Sequence, residues 1–255
     1  MDLRLQFDLA ANYSSAAQRA RVVTEAWGAR NLYCCSCAAT QLAPQTANTH
    51  VVDFKCPDCA ERYQLKSSKS GFRTTVLGAN YDKMMEAVRA NRTPHFHLLH
   101  YVLPEAMVRN LVVIPRFAIS SSAIRPRNPL SEVARRAAWV GYLFDLRLVP
   151  STAKIALIRE GEIIDPVSVR AQFGKIARIA SLSVEQRGWS LDVLRCLESL
   201  HCAEFTTSEA YQFVPELSAL HPANRHIREK IRQQLQVLRD RGLLRQVDRG
   251  RWMRV

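Results

Sequence analysis

DFKCPDCAERYQLKS, residues 53–67, is the stretch on which the fold of this chain turns. Two short runs flank a Cys-Pro-Asp-Cys turn, and they read as strands over 51–55 and 61–66. In a strand, residues i and i+2 point the same way. Gln64 and Lys66 are therefore expected on one face, with Leu65 turned to the core. Asp53, on the neighbouring strand, can reach that same face.

The cysteines around this stretch are unevenly distributed. Five of the seven lie between Cys34 and Cys59. Cys34 and Cys37 enclose two residues, as do Cys56 and Cys59, and eighteen residues separate the pairs. Two such pairs supply four thiolates at tetrahedral corners, the arrangement zinc takes in structural sites. Four thiolates close the coordination sphere, so the spacing predicts a structural zinc that staples a long loop to a tight turn. The alternatives are four buried free thiols, or a redox pair, for which one CxxC would suffice. Cys35 is a spare inside the first pair, and Cys196 and Cys202 read as core or surface thiols.

Asp53, Gln64 and Lys66 form the acid–spacer–(acid or Gln)–x–Lys arrangement of the PD-(D/E)xK nucleases. Asp53 would bind a divalent cation beside a phosphate, and Gln64 would offer its amide oxygen to the same cation. Magnesium suits such hard oxygen ligands, with manganese as a substitute. Lys66 would orient or help deprotonate an attacking water and offset charge developing on the phosphate. Glu25, on the first helix, is a further candidate that would hold a metal-bound water. Read alone, the motif equally fits a solvated strand face. His95 and His97 share a strand face opposite His100, but no third ligand accompanies them, and they read as structural or surface residues.

Outward from this centre, residues 15–30 are expected to be helical, with Ala20, Val23 and Ala26/Trp27 at helical spacing. A second helix is expected over 80–90, with Asn80 as its N-cap. Strands follow at 95–101, 111–115 and 154–159, the last closed by a turn at Gly161, with a Pro- and Arg-rich loop at 124–130 between. The polar stretch 181–188 marks a boundary, giving domains 1–182 and 183–255. Beyond it come a helix at 189–200, a second opened by a Thr206/Glu209 capping box, and a third capped by Asn224 and stopped by Gly242. Two short strands split at Asp248–Gly250 complete a winged helix.

Charge points to the partner. Lys and Arg number 36 against 23 acids, a formal +13. Residues 225–255 alone carry ten Lys/Arg and three acids, more than half of that excess. Basic side chains displace counterions from phosphates, so a polyanion is the expected partner. In the third helix Ile227, Ile231, Leu235 and Leu238 form the core face. Asn224, Arg225, His226, Arg228, Lys230, Arg232, Gln233 and Gln234 are the candidate DNA contacts there, with Arg249 and Arg251 at the wing. A solvated basic helix facing a protein partner is the alternative. No apolar run approaches membrane-spanning length, and the opening MDLRLQFDLA lacks the features of a signal peptide. A cytoplasmic location in a bacterial-type cell is expected, with no membrane partner and a monomer in solution.

HIREKIRQQLQVLRDRG at 226–242, DFKCPDCAERYQLKS at 53–67, ARVVTEAW at 20–27 and RRAAWVGYLFDL at 135–146 together resemble the DpnI-like methyl-directed restriction endonucleases, from end to end. The resemblance implies an α/β (α+β) PD-(D/E)xK nuclease domain with a four-cysteine zinc insertion, followed by a winged helix. It implies magnesium-dependent cutting of double-stranded GATC when its adenine is methylated, with the winged helix as a second reader of that sequence. It also implies that Trp139 lies near the methylated bases, beside Arg135 and Arg136. A methyl in the major groove offers apolar and aromatic contacts. A core tryptophan is the other reading of Trp139. One departure stands out: the family pattern has Glu where this chain has Gln64. Gln keeps an oxygen ligand but loses a charge, which weakens metal binding. A catalytically silent reader or regulator of methyl-adenine DNA is therefore the alternative.

Overall fold

The computed structural model describes residues 1–46, 52–131, 133, 137–200 and 202–255. The first part of the expected strand 51–55, and Arg135 and Arg136, thus lie wholly or partly outside the described residues. By packing, the chain forms two compact units: 1–76, 93–116 and 153–174 make the first, and 77–92, 117–152 and 175–255 the second. This division by contact is not the single cut near residue 182 expected from the sequence.

The first unit is built on a mixed sheet. Its strands are β1 (Ala43–Pro44), β2 (Phe54–Lys55), β3 (Arg62–Ser68), β5 (His95–Val102), β6 (Met107–Ile114), β9 (Ile155–Arg159) and β10 (Glu162–Ile163), hydrogen-bonded in that order. Only β3 and β5 pair in parallel among these described strands. A parallel pair needs a crossover. Residues 69–94 provide it, carrying β4 (Thr75–Gly78) and α2 (Tyr81–Arg89), the latter N-capped by Asn80 through a 2.8 Å bond from the Lys83 N–H. β5, HFHLLHYV, is buried along nearly its whole length, as a central strand covered on both faces should be.

α1 (Ala16–Asn31) follows the helical expectation and buries Val23, Thr24, Trp27 and Gly28. At Gly28 a Cβ would lie 2.7 Å from the Phe54 ring, so only glycine lets α1 approach β2 this closely. α3 (Pro166–Ala177) is an element that hydropathy patterning does not announce. Its signal lies in the cap: Asp165 accepts from the N–H groups of Val167 and Ser168, and Pro166 occupies the first helical position.

In the second unit, β7 (Ile124–Pro126) pairs with β8 (Tyr142–Asp145) in a small sheet of order β4–β8–β7. A strand thus stands where the sequence predicts a loop at 124–130. Proline is tolerated here because β7 is an edge strand and Pro126 its last residue. The rest of the unit is α4 (Val184–Glu198), β11 (Glu204–Thr206), α5 (Thr207–Ala210), α6 (Val214–Leu220), α7 (Ile227–Asp240), β12 (Leu244–Asp248) and β13 (Arg251–Arg254). The strands form a sheet of order β11–β13–β12. α4 begins five residues before the expected 189, capped by Ser183. The helix opened by the Thr206/Glu209 capping box is interrupted by a 3-10 turn into α5 and α6. Gly242, at φ +64°, ends α7 as expected. Buried Asp192 accepts from Ser122 at 3.0 Å and contacts His221 at 2.9 Å, while Arg187 donates to Asn91 and Thr152 to Glu198. These bonds fasten 77–92 and 117–152 to the C-terminal helices. No helix among the described residues is long and apolar enough to cross a membrane.

Candidate active site, metal centre and nucleic-acid interface

The four paired cysteines converge. Cys34 Sγ lies 3.6 Å from Cys59 Sγ, Cys37 Sγ lies 3.5 Å from Cys56 Sγ, and all four sulfurs fall within 4.8 Å of one another. Zinc with ∼2.3 Å bonds at a tetrahedral centre needs sulfurs about 3.8 Å apart. The cluster could hold zinc, and Cys35 stands outside it, buried, its thiol pushed up by that burial. Burial would raise the Cys56 thiol too, but the N–H groups of Cys59 and Asp58 and the neighbouring thiols outweigh it and lower its pKa. The spacing of the cysteines does not reveal the surroundings of the cluster. The Tyr63 hydroxyl contacts Cys34 Sγ at 3.2 Å and accepts the Cys35 N–H. Arg170 of α3 donates to the Cys34 and Ala39 carbonyls, bracing the first knuckle across the unit.

Beside this staple lies the Asp53 cluster. Backbone bonds to Gln45 and Tyr63 fix Asp53 at the mouth of β2, and its Oδ2 accepts the Leu65 N–H at 2.7 Å. Gln64 and Lys66 alternate with Leu65 along β3 and so share a face. Gln64 Oε1 is a buried acceptor with no hydrogen-bond partner among the described residues. Burial lowers the Lys66 pKa against the opposing pull of Asp53. Burial raises that of Asp53, opposed by the Leu65 N–H and by the charges of Lys66 and Arg21. Asp53 also shares a cleft of about 40 Å³ with Glu25, Arg21, Gln45 and Thr46. By the same measure a water needs ∼10–15 Å³, so the cleft has room for about three waters; Gln64 and Lys66 are not among the residues that line it. Glu25 is thus brought to Asp53, paired at 2.7 Å with Arg21, a residue that no sequence motif singles out.

These residues fit a magnesium ion. The donors are hard oxygens, and a buried amide oxygen without a partner is costly unless something coordinates it.

The histidines of β5 are structural. His95 Nδ1 accepts the Arg116 N–H at 3.0 Å, so Nε2 carries the proton and meets Glu61 at 3.0 Å. His97 is fully buried and stacks on Tyr63 with ring centroids 5.1 Å apart.

Arg225 and His226 just before α7, and Arg228, Arg232 and Gln233 on it, are exposed, as are Arg249 and Arg251 at the wing. Gln234 is not available to DNA: its side chain is 1% exposed and its amide oxygen accepts from Ser190 at 2.7 Å. Its position in the helix coincides with the core stripe of Ile231, Leu235 and Leu238. Asn224 does not cap α7 either. It accepts the His226 N–H in the preceding turn, which the Asn224 N–H closes onto the His221 carbonyl. Lys230 holds its ammonium 5.4 Å from the Trp189 ring centroid, and Arg228 lies over Tyr211. A cavity of about 630 Å³ opens here, lined by Trp189, His221, Asn224, Arg225 and His226. Trp139 is half-buried, its carbonyl accepting the Leu130 N–H and its indole packed beside Gly141.

A family model described as DpnI, Dam-replacing family, matches residues 1–182, and one described as DpnI_C, Dam-replacing HTH domain, matches residues 185–254. The chain belongs to the Dam-replacing family. A Dam-replacing chain is thus a mixed α/β core followed by a helix-turn-helix domain, and DNA is its partner. The basic α7 and wing lie inside the matched helix-turn-helix domain, and the Asp53 cluster and cysteine knuckle lie inside the first match.

Proposed function

We propose that this chain is a methyl-directed type II restriction endonuclease that hydrolyses phosphodiester bonds of double-stranded DNA at GATC sites carrying methylated adenine. Functionally, 1–182 is the PD-(D/E)xK nuclease and 183–255 the winged-helix reader, acting as a monomer in the cytoplasm of a bacterial-type cell. The observation that supports the reading is the charge interaction between Asp53, in a cleft shared with Glu25, and Lys66 of β3, the strand that also carries the partnerless buried oxygen of Gln64.

Asp53 and Gln64 would hold magnesium or manganese, which when bound supplies Lewis-acid polarisation of the phosphate. Asp53 turns one carboxylate oxygen to the Leu65 N–H, which orients the other for a ligand. Lys66, with its pKa lowered by burial, is suited to position the attacking water and to exchange a proton with it. Glu25 would hold a further water at the cleft wall. The four cysteines would hold a structural zinc that fixes the turn between β2 and β3, and so the spacing of Asp53 from Gln64 and Lys66. Arg225, His226, Arg228, Lys230, Arg232, Gln233, Arg249, Arg251, Arg135 and Arg136 would read or grip the duplex, and Trp139 would face the methylated bases.

The test is digestion of one plasmid prepared from adenine-methylating and non-methylating hosts, with magnesium and with EDTA. Cutting of the methylated plasmid alone, and only with magnesium, is the expected result. Lys66→Ala should abolish cutting and leave binding intact; a Lys66→Ala chain that cuts normally would move the active site elsewhere. Gln64 lacks the charge of a carboxylate, which favours a second reading, a silent reader. Tight binding to methylated DNA without cleavage at any magnesium or manganese concentration would establish that reading instead.

A further inference from the structure

Arg21 has no part in the mechanism above, yet it stands at the cleft. Arg21, Glu25 and Gly28 are spaced four and three residues apart and so occupy one face of α1. That face is pressed onto β2 at Gly28, where the Phe54 ring would clash with any Cβ. One and two turns back along the same face, Glu25 and Arg21 therefore overhang the residue next to Phe54, which is Asp53. All three line the cleft, and Arg21 is the one cation among the described residues that do so.

Helix stability does not account for the Arg21–Glu25 pair. Exposed pairs at this spacing are worth only ∼0.3–0.5 kcal/mol, and the basic residue precedes the acidic one, the less favourable order along a helix. The pair uses one Nε–H of a guanidinium that has five donors, and 54% of the Arg21 side chain is exposed. A planar fork of this kind matches a phosphate in two-point fashion. The cleft also needs such a group. Asp53 and Glu25 would repel a DNA strand, and Lys66 is partly buried in the sheet.

We propose that Arg21 is a phosphate-binding residue of the cut site, exchanging its bond to Glu25 for the oxygens of a DNA phosphate that enters the cleft. The proposal rests on the nuclease reading. In free protein Arg21 holds Glu25 and partly neutralises the acidic cleft. On binding, the phosphate takes the guanidinium and leaves Glu25 free to face the cleft.

The experiment compares wild type, Arg21→Gln and Arg21→Lys as full-length chains of equal thermal stability. Three quantities are read: affinity for a methylated GATC duplex in calcium across a salt series, manganese affinity without DNA by electron paramagnetic resonance, and single-turnover cleavage in magnesium. Arg21→Gln should make the slope of log K against log salt shallower by about 0.9, one phosphate contact. It should slow cleavage by roughly 100-fold and leave manganese affinity equal to or tighter than wild type. Arg21→Lys should restore the salt slope but not the full rate, since a point charge lacks the fork. An unchanged salt slope in Arg21→Gln overturns the proposal. So does a loss of manganese affinity that matches the loss of rate, because Arg21 would then act only by holding Glu25. Failure of the nuclease reading shows separately, as a wild type that never cuts or a Lys66→Ala chain that does, while the calcium salt slope still decides whether Arg21 meets phosphate.

Discussion

His97 has both ring nitrogens buried without a hydrogen-bond partner among the described residues, and it stacks nearly parallel to Tyr63. Burial pushes its pKa down to about 3, with His95 beside it adding to the effect. An unfolded histidine titrates near 6.5. The folded pKa lies below the unfolded one, so the unfolded chain binds the proton first. The contribution of neutral His97 is therefore whole above about pH 6.5 and drains away as pH falls toward 3. By pH 5 the loss amounts to about 2 kcal/mol. His97→Leu keeps the volume and removes the titrating group. Urea unfolding of zinc-loaded protein should show that the wild type loses stability between pH 7 and 5 by about that much more than the variant. Parallel curves would mean that His97 is solvated in a way its burial does not suggest. Sequence alone could place His97 on the same face as His95, but not measure its burial, which comes from β6 on one side and Tyr63 of β3 on the other. Gln64 is similar: period-two alternation gives its face, while its missing partner is visible only in three dimensions.

Elements announced by local chemistry were legible, and those decided by distant partners were not. Asn80 and the Thr206/Glu209 box bond their helix ends as their spacing predicts, because a cap is a contact over three residues. Thr206→Ala should accordingly cost about 1 kcal/mol in thermal or urea unfolding; no change would mean that packing of β11 alone sets the start of α5. β7 was unreadable because its Pro126 looks like a loop residue until β8 supplies a partner on one side only. The cysteine knuckle is the strongest local signal, and a loop closed by metal gains most when its ends are far apart in sequence. Cys56→Ser should yield protein with no bound zinc by elemental analysis and a clearly lower Tm, by ∼2–4 °C for each kcal/mol lost in a chain of this size. Chelation of wild-type zinc should give the same fall. Because the knuckle joins β2 to β3, cleavage should be lost with the metal, before the sheet as a whole unfolds.

At the scale of the whole molecule, the distribution of charge and the division by packing bear on the same experiment. More than half of the +13 charge lies in residues 225–255, on α7 and the wing. Deleting 183–255 removes that charge at a stroke and so offers a direct test of whether it grips DNA. The second unit argues against it: Asp192, Arg187 and Glu198 bond to Ser122, Asn91 and Thr152, so a truncated chain would lose the partners of 77–92 and 117–152 as well as its basic helix. Trp139 lies within the second of those segments, so the methyl contact proposed for it would suffer for reasons unrelated to α7. Point changes in the full chain avoid this. Arg225 and Arg249 are exposed and take part in no ion pair among the described residues. Arg225→Ala with Arg249→Ala should weaken binding to methylated and unmethylated duplexes by the same factor and make the salt slope shallower by about 1.8, two phosphate contacts at ∼0.9 each. Preference for the methylated site should persist, since neither change touches Gln233, Arg232 or Trp139. A selective loss on methylated DNA would instead place one of these arginines on a base edge, where a bidentate contact is worth ∼1–3 kcal/mol of discrimination. An unchanged slope would remove α7 and the wing from the phosphate backbone altogether and leave the basic surface to a protein partner.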